Sequence, residues 1–413
     1  MRVLIVGINY DPEPVGIGPY TTGIARALAE AGHEVEMLAG KPYYPAWNIE
    51  REWRRPLYRR SREGGVSITR CPLYVPARDG GLKRIIHHAS FAAALLPAAL
   101  RAASRFAPDL VINIAPSLIS TPVARLAANR AGARLWLHIQ DFEVEAAFAT
   151  GLLRSDSLFG SFARKFEERQ LRSANRVSTI SPQMLRKLAE KGVTSDRIVE
   201  FRNWAEIDEI RPTEIDSPYR GEWGISTPHV ALYSGNIANK QGIEIVVEAA
   251  RLLQHRDDLT FVICGEGPNR AKLEALAAGL DNIQLHDLQP KGRMNDLLGM
   301  ATLHLLPQLA GAADLVLPSK LANMLASGRP VVATADPGTG LAAEVAGVGI
   351  VTPPGEAQAM ADAIERLIDN PEEAAALGKA ARNRATERWS RRWILDRFVD
   401  LTTELLETPD KTK

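Results

Sequence analysis

The chain has 413 residues, 46% of them hydrophobic and 24% charged, a composition that excludes a disordered protein and exceeds what one core organises, so two domains are expected. Its 50 basic and 49 acidic residues nearly cancel, which argues against nucleic acid as a partner. Cys71 and Cys264 are the only cysteines; neither belongs to a CxxC or Cys/His cluster, so both read as core thiols rather than as a disulfide or a zinc site.

Met1-Arg2 leads directly into the apolar run Val3-Leu4-Ile5-Val6, without the pattern of a signal peptide, and a cytoplasmic location is expected. A Gly/Pro-rich loop over 7–19, helix formers over 20–31, Gly32 and a strand over 35–38 follow. That succession is a βαβ unit and predicts a parallel sheet.

Two later segments suit a lipid surface. The run 51–60 mixes arginines with Trp53, Leu57 and Tyr58, and anionic headgroups attract such clusters. In 82–106, Lys83, Arg84, His87 and His88 precede Phe91, Leu95, Leu96 and Leu100, as in an interfacial helix, with a helix of the core as the alternative. The apolar stretch 91–100 is about half the ~20 residues a membrane span requires.

Short apolar strands recur at 110–114, 135–139 and 177–180, as buried parallel strands do. Pro212, Pro218, Gly221, Gly224 and Pro228 punctuate a polar stretch, which predicts a linker over 207–228. A second series follows, with strands at 230–234, 259–264, near 283 and 303, and at 330–333, and helices over 241–255 and 268–278. The expected fold class is therefore α/β, two doubly wound Rossmann-like domains facing each other, over 1–206 and 229–385. The continuous helical pattern of 371–406 predicts that the tail, 386–413, braces the first domain.

Open α/β sheets bind ligands at the carboxyl ends of their strands. Gly16-Ile17-Gly18 opens the first helix, where backbone N–H groups meet an anion or a sugar. The dinucleotide fingerprint GxGxxG is broken by Thr21, so a nicotinamide cofactor is disfavoured. His138 and Asp141 lie at the end of the strand 135–139 and are candidates for catalysis, a sheet-edge histidine and a helix cap being the plainer alternatives. In the second domain, Ser234-Gly235-Asn236 with Lys240-Gln241-Gly242 suits a phosphate, and Gly265-Glu266-Gly267 permits close approach to a base or ribose. Asp314-Leu315-Val316 and Ser319-Lys320 precede another helix, a second place for a diphosphate, with capping as the plainer role of Ser319.

These segments, together with Pro42-Tyr43-Tyr44-Pro45 and Cys71-Pro72-Leu73-Tyr74-Val75-Pro76, resemble bacterial glycosyltransferase family four, and within it the colanic-acid glycosyltransferases of the WcaI type, over essentially the whole chain. The resemblance implies a GT-B fold, the acceptor in the first domain, the sugar nucleotide in the second, and retention of anomeric configuration. It also implies GDP-fucose as donor and an undecaprenyl-diphosphate oligosaccharide as acceptor, met at the inner face of the cytoplasmic membrane. His138, Asp141 and Lys240 are the expected catalytic residues. Donor contacts are expected from Gly16, Gly18, Gly235, Asn236, Lys240, Gly265, Glu266, Gly267, Leu288, Asp314, Leu315, Val316, Ser319, Lys320 and Asn323. Asn236 stands where the broad family has an arginine, and Leu315 and Asn323 stand where it has a glutamate pair. Asn323 is then expected to take the ribose, and backbone N–H groups around 314–316 the sugar. No DxD cluster borders these loops, so no metal or other cofactor is expected. A catalytically silent scaffold of the same fold and a sugar-nucleotide 2-epimerase are the alternatives.

Overall fold

The computed structural model describes residues 1–14, 16–76, 81–149, 157–205, 207–213, 217–237, 241–310 and 319–407. The chain divides into two units, residues 1–203 with 395–413, and 204–394.

The first unit holds β1 (Arg2–Gly7), β2 (Glu34–Gly40), β3 (Arg59–Glu63), β4 (Val66–Cys71), β5 (Leu110–Ala115), β6 (Arg134–Ile139), β7 (Arg176–Thr179) and β8 (Ile198–Glu200). They form one sheet in the order β3-β4-β2-β1-β5-β6-β7-β8. Every pairing is parallel except the hairpin of β3 with β4. The second unit holds β9 (His229–Ser234), β10 (Leu259–Cys264), β11 (Ile283–His286), β12 (Leu303–Leu306), β13 (Val331–Thr334) and β14 (Gly349–Thr352), all parallel, in the order β11-β10-β9-β12-β13-β14. That is the doubly wound order, whose direction reverses beside the first strand of each unit and opens a crevice at the carboxyl ends there.

The strands are apolar because they are covered twice. In β9, Val230 and Leu232 enter one core while Ala231 and Tyr233 enter another on the opposite face. No polar side chain serves chemistry from mid-strand at a reasonable desolvation cost, so the loops after the strands must supply it.

Three expectations are corrected. The stretch 207–228 is not a linker: Ile207, Ile210, Tyr219 and Ile225 are buried in the second unit's core. The helix Gly81–Arg105 is a core helix rather than an interfacial one, since Phe91, Leu95, Ala99 and Ala102 are buried against the first sheet's core. The tail is not continuous; it breaks at Ser390, which is extended (φ −63°, ψ 125°) and bridges to Ala205.

Beyond that break runs the helix Arg391–Glu407, whose residues from Leu395 onward belong to the first unit. Phe398 is fully buried there, its ring 4.4 Å from Phe201 and 5.0 Å from Trp136. Phe398→Ala is expected to destabilise the first unit by about 3–5 kcal/mol through the cavity left between those rings. The denaturant midpoint reads this, and an unmoved midpoint would show the helix to be dispensable.

Candidate active site

Candidate site residues stand at the carboxyl ends of the strands within each unit. In the first, the loop after β1 is organised around Glu13, which is only 4% exposed. Its Oε1 accepts the N–H groups of Tyr43 (2.9 Å) and Tyr44 (3.0 Å), and its Oε2 accepts from Asn9 Nδ2 (2.8 Å). Burial raises its pKa against the pull of those donors. The two glycines have separate reasons. Gly16 has φ +72°, and a Cβ there would meet the Tyr44 ring at 3.1 Å; at Gly18 a Cβ would press on Glu13 at 3.0 Å. The helix Gly18–Glu30 begins without a side-chain cap and with Pro19 in its first turn.

His138 is 0% exposed on β6. Gln140 Nε2–H donates to His138 Nε2 (2.9 Å) and His138 Nδ1 lies 2.9 Å from Ser178 Oγ, an arrangement that assigns the proton to Nδ1. Burial pushes its pKa down to about 3, so the ring is neutral. Phe201 packs against it edge-on at 5.1 Å. The expectation that His138 itself touches the sugar or the attacking hydroxyl is therefore corrected: the ring is sealed and both nitrogens are engaged. It positions Gln140, which also exchanges two 2.8 Å hydrogen bonds with Asn203.

Asp141 differs, being exposed just past β6. Partial desolvation raises its pKa, opposed by the Phe142 N–H and the Arg84 charge. Two residues on stands Glu143, not expected from the sequence. Its Oε2 accepts the Leu118 N–H (3.3 Å), while Oε1 is buried without a hydrogen-bond partner among the described residues. Burial drives its pKa up to about 8, against the Leu118 N–H and Arg84. The available signal was its place two residues past Asp141, at the start of the helix Glu143–Ala149 that follows β6.

In the second unit, the loops after β9 and β10 lie backbone on backbone. A Cβ at Gly265 would fall 1.9 Å from the Gly235 carbonyl oxygen, and one at Gly267 would fall 2.1 Å from that of Ile237. Hydrogen bonds from Gly235 N to Cys264 O (2.9 Å) and Ile237 N to Glu266 O (2.8 Å) zip the loops together. Into this turn reaches Lys320, on the helix Ser319–Ala326. Its Nζ donates to Tyr233 Oη (2.8 Å) and sits 4.5 Å from that ring's centre. A Cβ on Gly235 would stand 2.6 Å from the same nitrogen, so glycine at 235 makes room for the ammonium. Burial lowers the Lys320 pKa to about 8, and no carboxylate pairs with it among the described residues. A half-desolvated cation facing glycine backbone and a helix amino end suits a diphosphate.

Asn236 is exposed, and its carbonyl accepts from Tyr233 Oη (2.7 Å), the hydroxyl that in turn accepts from Lys320. Glu266 is exposed and paired with Arg270 (3.2 Å). Leu288 is exposed beyond β11, near His286 stacked on Trp223 with centroids 3.7 Å apart. Asn323, half-buried, lies one turn along the helix from Lys320. The structure thus gathers Gly235, Asn236, Gly265, Glu266, Gly267, Lys320 and Asn323, whereas Gly16 and Gly18 belong to the first unit. Lys240, Asp314, Leu315 and Val316 lie outside the described residues, as does the side chain of Ser319. Among the described residues, no three His, Cys, Asp or Glu side chains gather to hold a metal.

Residues 15–204 match the model of a glycosyl transferase 4-like domain and residues 217–384 that of glycosyl transferases group 1. The chain is 41% identical to the protein named as colanic acid biosynthesis glycosyl transferase WcaI of Escherichia coli K12, over 81% of this chain and 84% of that one. The chain belongs to glycosyltransferase family four. It is also 34% identical to the alpha-D-kanosaminyltransferase of Streptomyces kanamyceticus, over 37% of this chain and 40% of that one. Among solved structures, sucrose-phosphate synthase of Thermosynechococcus elongatus aligns with TM-score 0.68 at 18% identity over 98% of both chains. The HepE protein of Anabaena in complex with UDP aligns with TM-score 0.68 at 16% identity, over 98% of this chain and all of that one. The fold of the glycosyltransferase is GT-B.

The buried acid gives a stability signature. An acid whose folded pKa is raised stabilises fully below its ordinary value, 4.5, and loses that contribution as pH rises towards about 8. Glu143→Gln is expected to remove this loss, so its unfolding midpoint should gain on the wild type progressively from pH 4.5 to 8. Parallel curves would show that Glu143 is ionised in the folded enzyme.

Proposed function

We propose that this glycosyltransferase is a retaining, metal-independent hexosyltransferase of exopolysaccharide assembly of the colanic-acid type. It takes a sugar from a nucleotide donor, fucose from GDP-fucose being the first choice, and places it on a polyprenyl-diphosphate-linked oligosaccharide at the inner face of the cytoplasmic membrane. The observation that carries the reading is Lys320, a half-buried ammonium with no carboxylate partner among the described residues, set against the glycine turn after β9. Likeness to WcaI supports the polysaccharide context, and the UDP complex of HepE supports a nucleotide donor.

In this reading the acceptor hydroxyl oxygen bonds to the anomeric carbon as the bond to the donor diphosphate breaks, both on one face of the sugar, and the hydroxyl proton passes to the departing diphosphate oxygen. Lys320, with Lys240 and helix amino ends, stabilises the negative charge of the leaving diphosphate, which is the main catalytic contribution and stands in for a metal ion. Asp141 holds acceptor hydroxyls from its exposed position. His138 acts through Gln140, fixing the loop that presents Asp141.

The membrane part of the reading draws on the segment around the helix Arg51–Arg54, where Arg51, Arg54, Arg55 and Arg60 are exposed beside Leu57, itself 65% exposed. Vesicles containing anionic lipid should float the protein, less so at about 0.5 M salt, where screening shortens the reach of these charges to a few ångströms. Equal flotation with neutral vesicles would remove the electrostatic part of this reading.

The decisive assay offers GDP-fucose, GDP-mannose, UDP-glucose and UDP-galactose separately, each with lipid-linked oligosaccharides and EDTA, and measures released nucleotide. Release from GDP-fucose alone is expected. Release from another donor keeps the class and discards fucose, and dependence on added metal discards the metal-free mechanism. Lys320→Ala is expected to weaken GDP binding about ten- to a hundredfold, the worth of one charge-assisted hydrogen bond. Wild-type affinity should also fall as pH rises through about 8, where the ammonium loses its proton.

A further inference from the structure

The loop after β2 carries an aromatic cluster that no step above uses. Tyr43 and His87 are its buried back wall, with ring centres 4.6 Å apart. Tyr44 and Trp47 stand in front, both half-buried, their centres 6.4 Å apart and their planes at 80°. Trp47 packs edge-on to Tyr43 at 5.5 Å and against His87 at 5.6 Å. The two forward rings therefore make a corner, one a floor and the other a wall.

The corner is held rigidly. Glu13 Oε1 fixes the backbone N–H groups of Tyr43 and Tyr44, and Asn48 N–H closes the turn onto Tyr43 O (3.2 Å). Lys41 ties the start of the loop to the carbonyls of Arg54 (2.8 Å) and Pro56 (2.9 Å). Trp47 adopts φ +50°, a left-handed conformation that bulky side chains avoid and that persists where the surroundings enforce it, often at ligand sites. Tyr44 leans on the loop after β1, where a Cβ at Gly16 would come within 3.1 Å of its ring. That edge of an open α/β sheet is where ligands bind.

We propose that Tyr44 and Trp47 form a stacking platform for one pyranose ring of the acceptor. A pyranose presents C–H groups on one face and hydroxyls around its rim, so it stacks on an electron-rich aromatic face while its edge meets a second ring. The Tyr44 hydroxyl has no hydrogen-bond partner among the described residues and is available to a sugar hydroxyl. A nucleobase is flat on both faces and fits parallel rings rather than rings at 80°. Rings that insert into lipid are exposed, whereas these are half-buried. The platform rests on the reading that the first unit binds the acceptor.

The probes are the methyl pyranosides of glucose, galactose, mannose and fucose, observed by saturation-transfer NMR with the full-length protein. At least one should receive saturation mainly at the C–H protons of a single face. Tyr44→Ala combined with Trp47→Ala should abolish it, and Trp47→Phe should retain it. With a lipid-linked acceptor, the double variant should raise the acceptor KM about tenfold or more, the loss of two aromatic contacts, and leave the donor KM unchanged. GDP binding and the unfolding midpoint, measured on the same samples, report folding; if the double variant fails them, Tyr44→Ala alone supplies the contrast. No saturation in the wild type, or equal saturation in the variants, overturns the platform whatever the donor assay shows. A protein that stacks these sugars but binds no nucleotide would keep the platform and remove the transferase mechanism instead.

Discussion

A parallel strand covered by helices on both faces leaves no room for a working polar side chain along its length, and both sheets here are built that way. Val230 and Leu232 face one core of the second unit, Ala231 and Tyr233 the other. Chemistry is displaced to the carboxyl ends, where the chain leaves the sheet. The quality of the site then depends on how tightly neighbouring loops pack there. After β9 and β10 the packing is as close as backbone allows, because any side chain at Gly265 or Gly267 would occupy the place of a carbonyl oxygen. The space spared at Gly235 is what the Lys320 ammonium enters.

The first unit answers the same constraint with buried polar side chains in addition to its glycine contacts. Glu13 is sealed under three N–H donors, and His138 is locked between Ser178 and Gln140. Buried polar groups of this kind are costly unless satisfied, and once satisfied they specify one arrangement. Their shifted pKa values express that cost: the acid is raised and the imidazole lowered because burial disfavours the charged form of each. Asp141 is exposed at this edge, whereas Glu13 and His138 are buried and hold their loops still.

Much of this was legible in the residues, for reasons that also mark where reading failed. The strands β1, β2, β5, β6, β7, β9 and β10 stand out as apolar runs because both of their faces are covered. β3 does not, because the edge sequence Arg-Arg-Ser-Arg-Glu is solvated, and β14 is hidden by its length and by Gly349 at its start. The break at Ser390 lacks glycine or proline and is imposed by the bridge to Ala205. The stretch 207–228 is polar in composition, yet Tyr219 and Ile225 are drawn inward by tertiary contacts that no local pattern records. In the site, the glycines were readable because their backbone role is local. The sealing of His138 was not, since a histidine at a strand end looks the same whether its ring meets solvent or Ser178. Glu143 escaped notice because its peculiarity is an unmet hydrogen bond, a property of surroundings rather than of spacing.

Lys320 shows how burial and selectivity are one effect. Desolvation makes its ammonium less stable than in water, which is why its pKa falls to about 8. An anion arriving beside it restores the lost stabilisation and draws the pKa upward again, whereas a neutral sugar cannot. The penalty carried by the empty cation is therefore recovered in proportion to ligand charge, and the Tyr233 ring and hydroxyl hold the charge in place until then. A solvated lysine would attract a diphosphate with less preference over water. In the proposed reading Lys320 gains most as negative charge grows on the leaving diphosphate, so the burial that tightens binding also favours the moment at which that bond breaks.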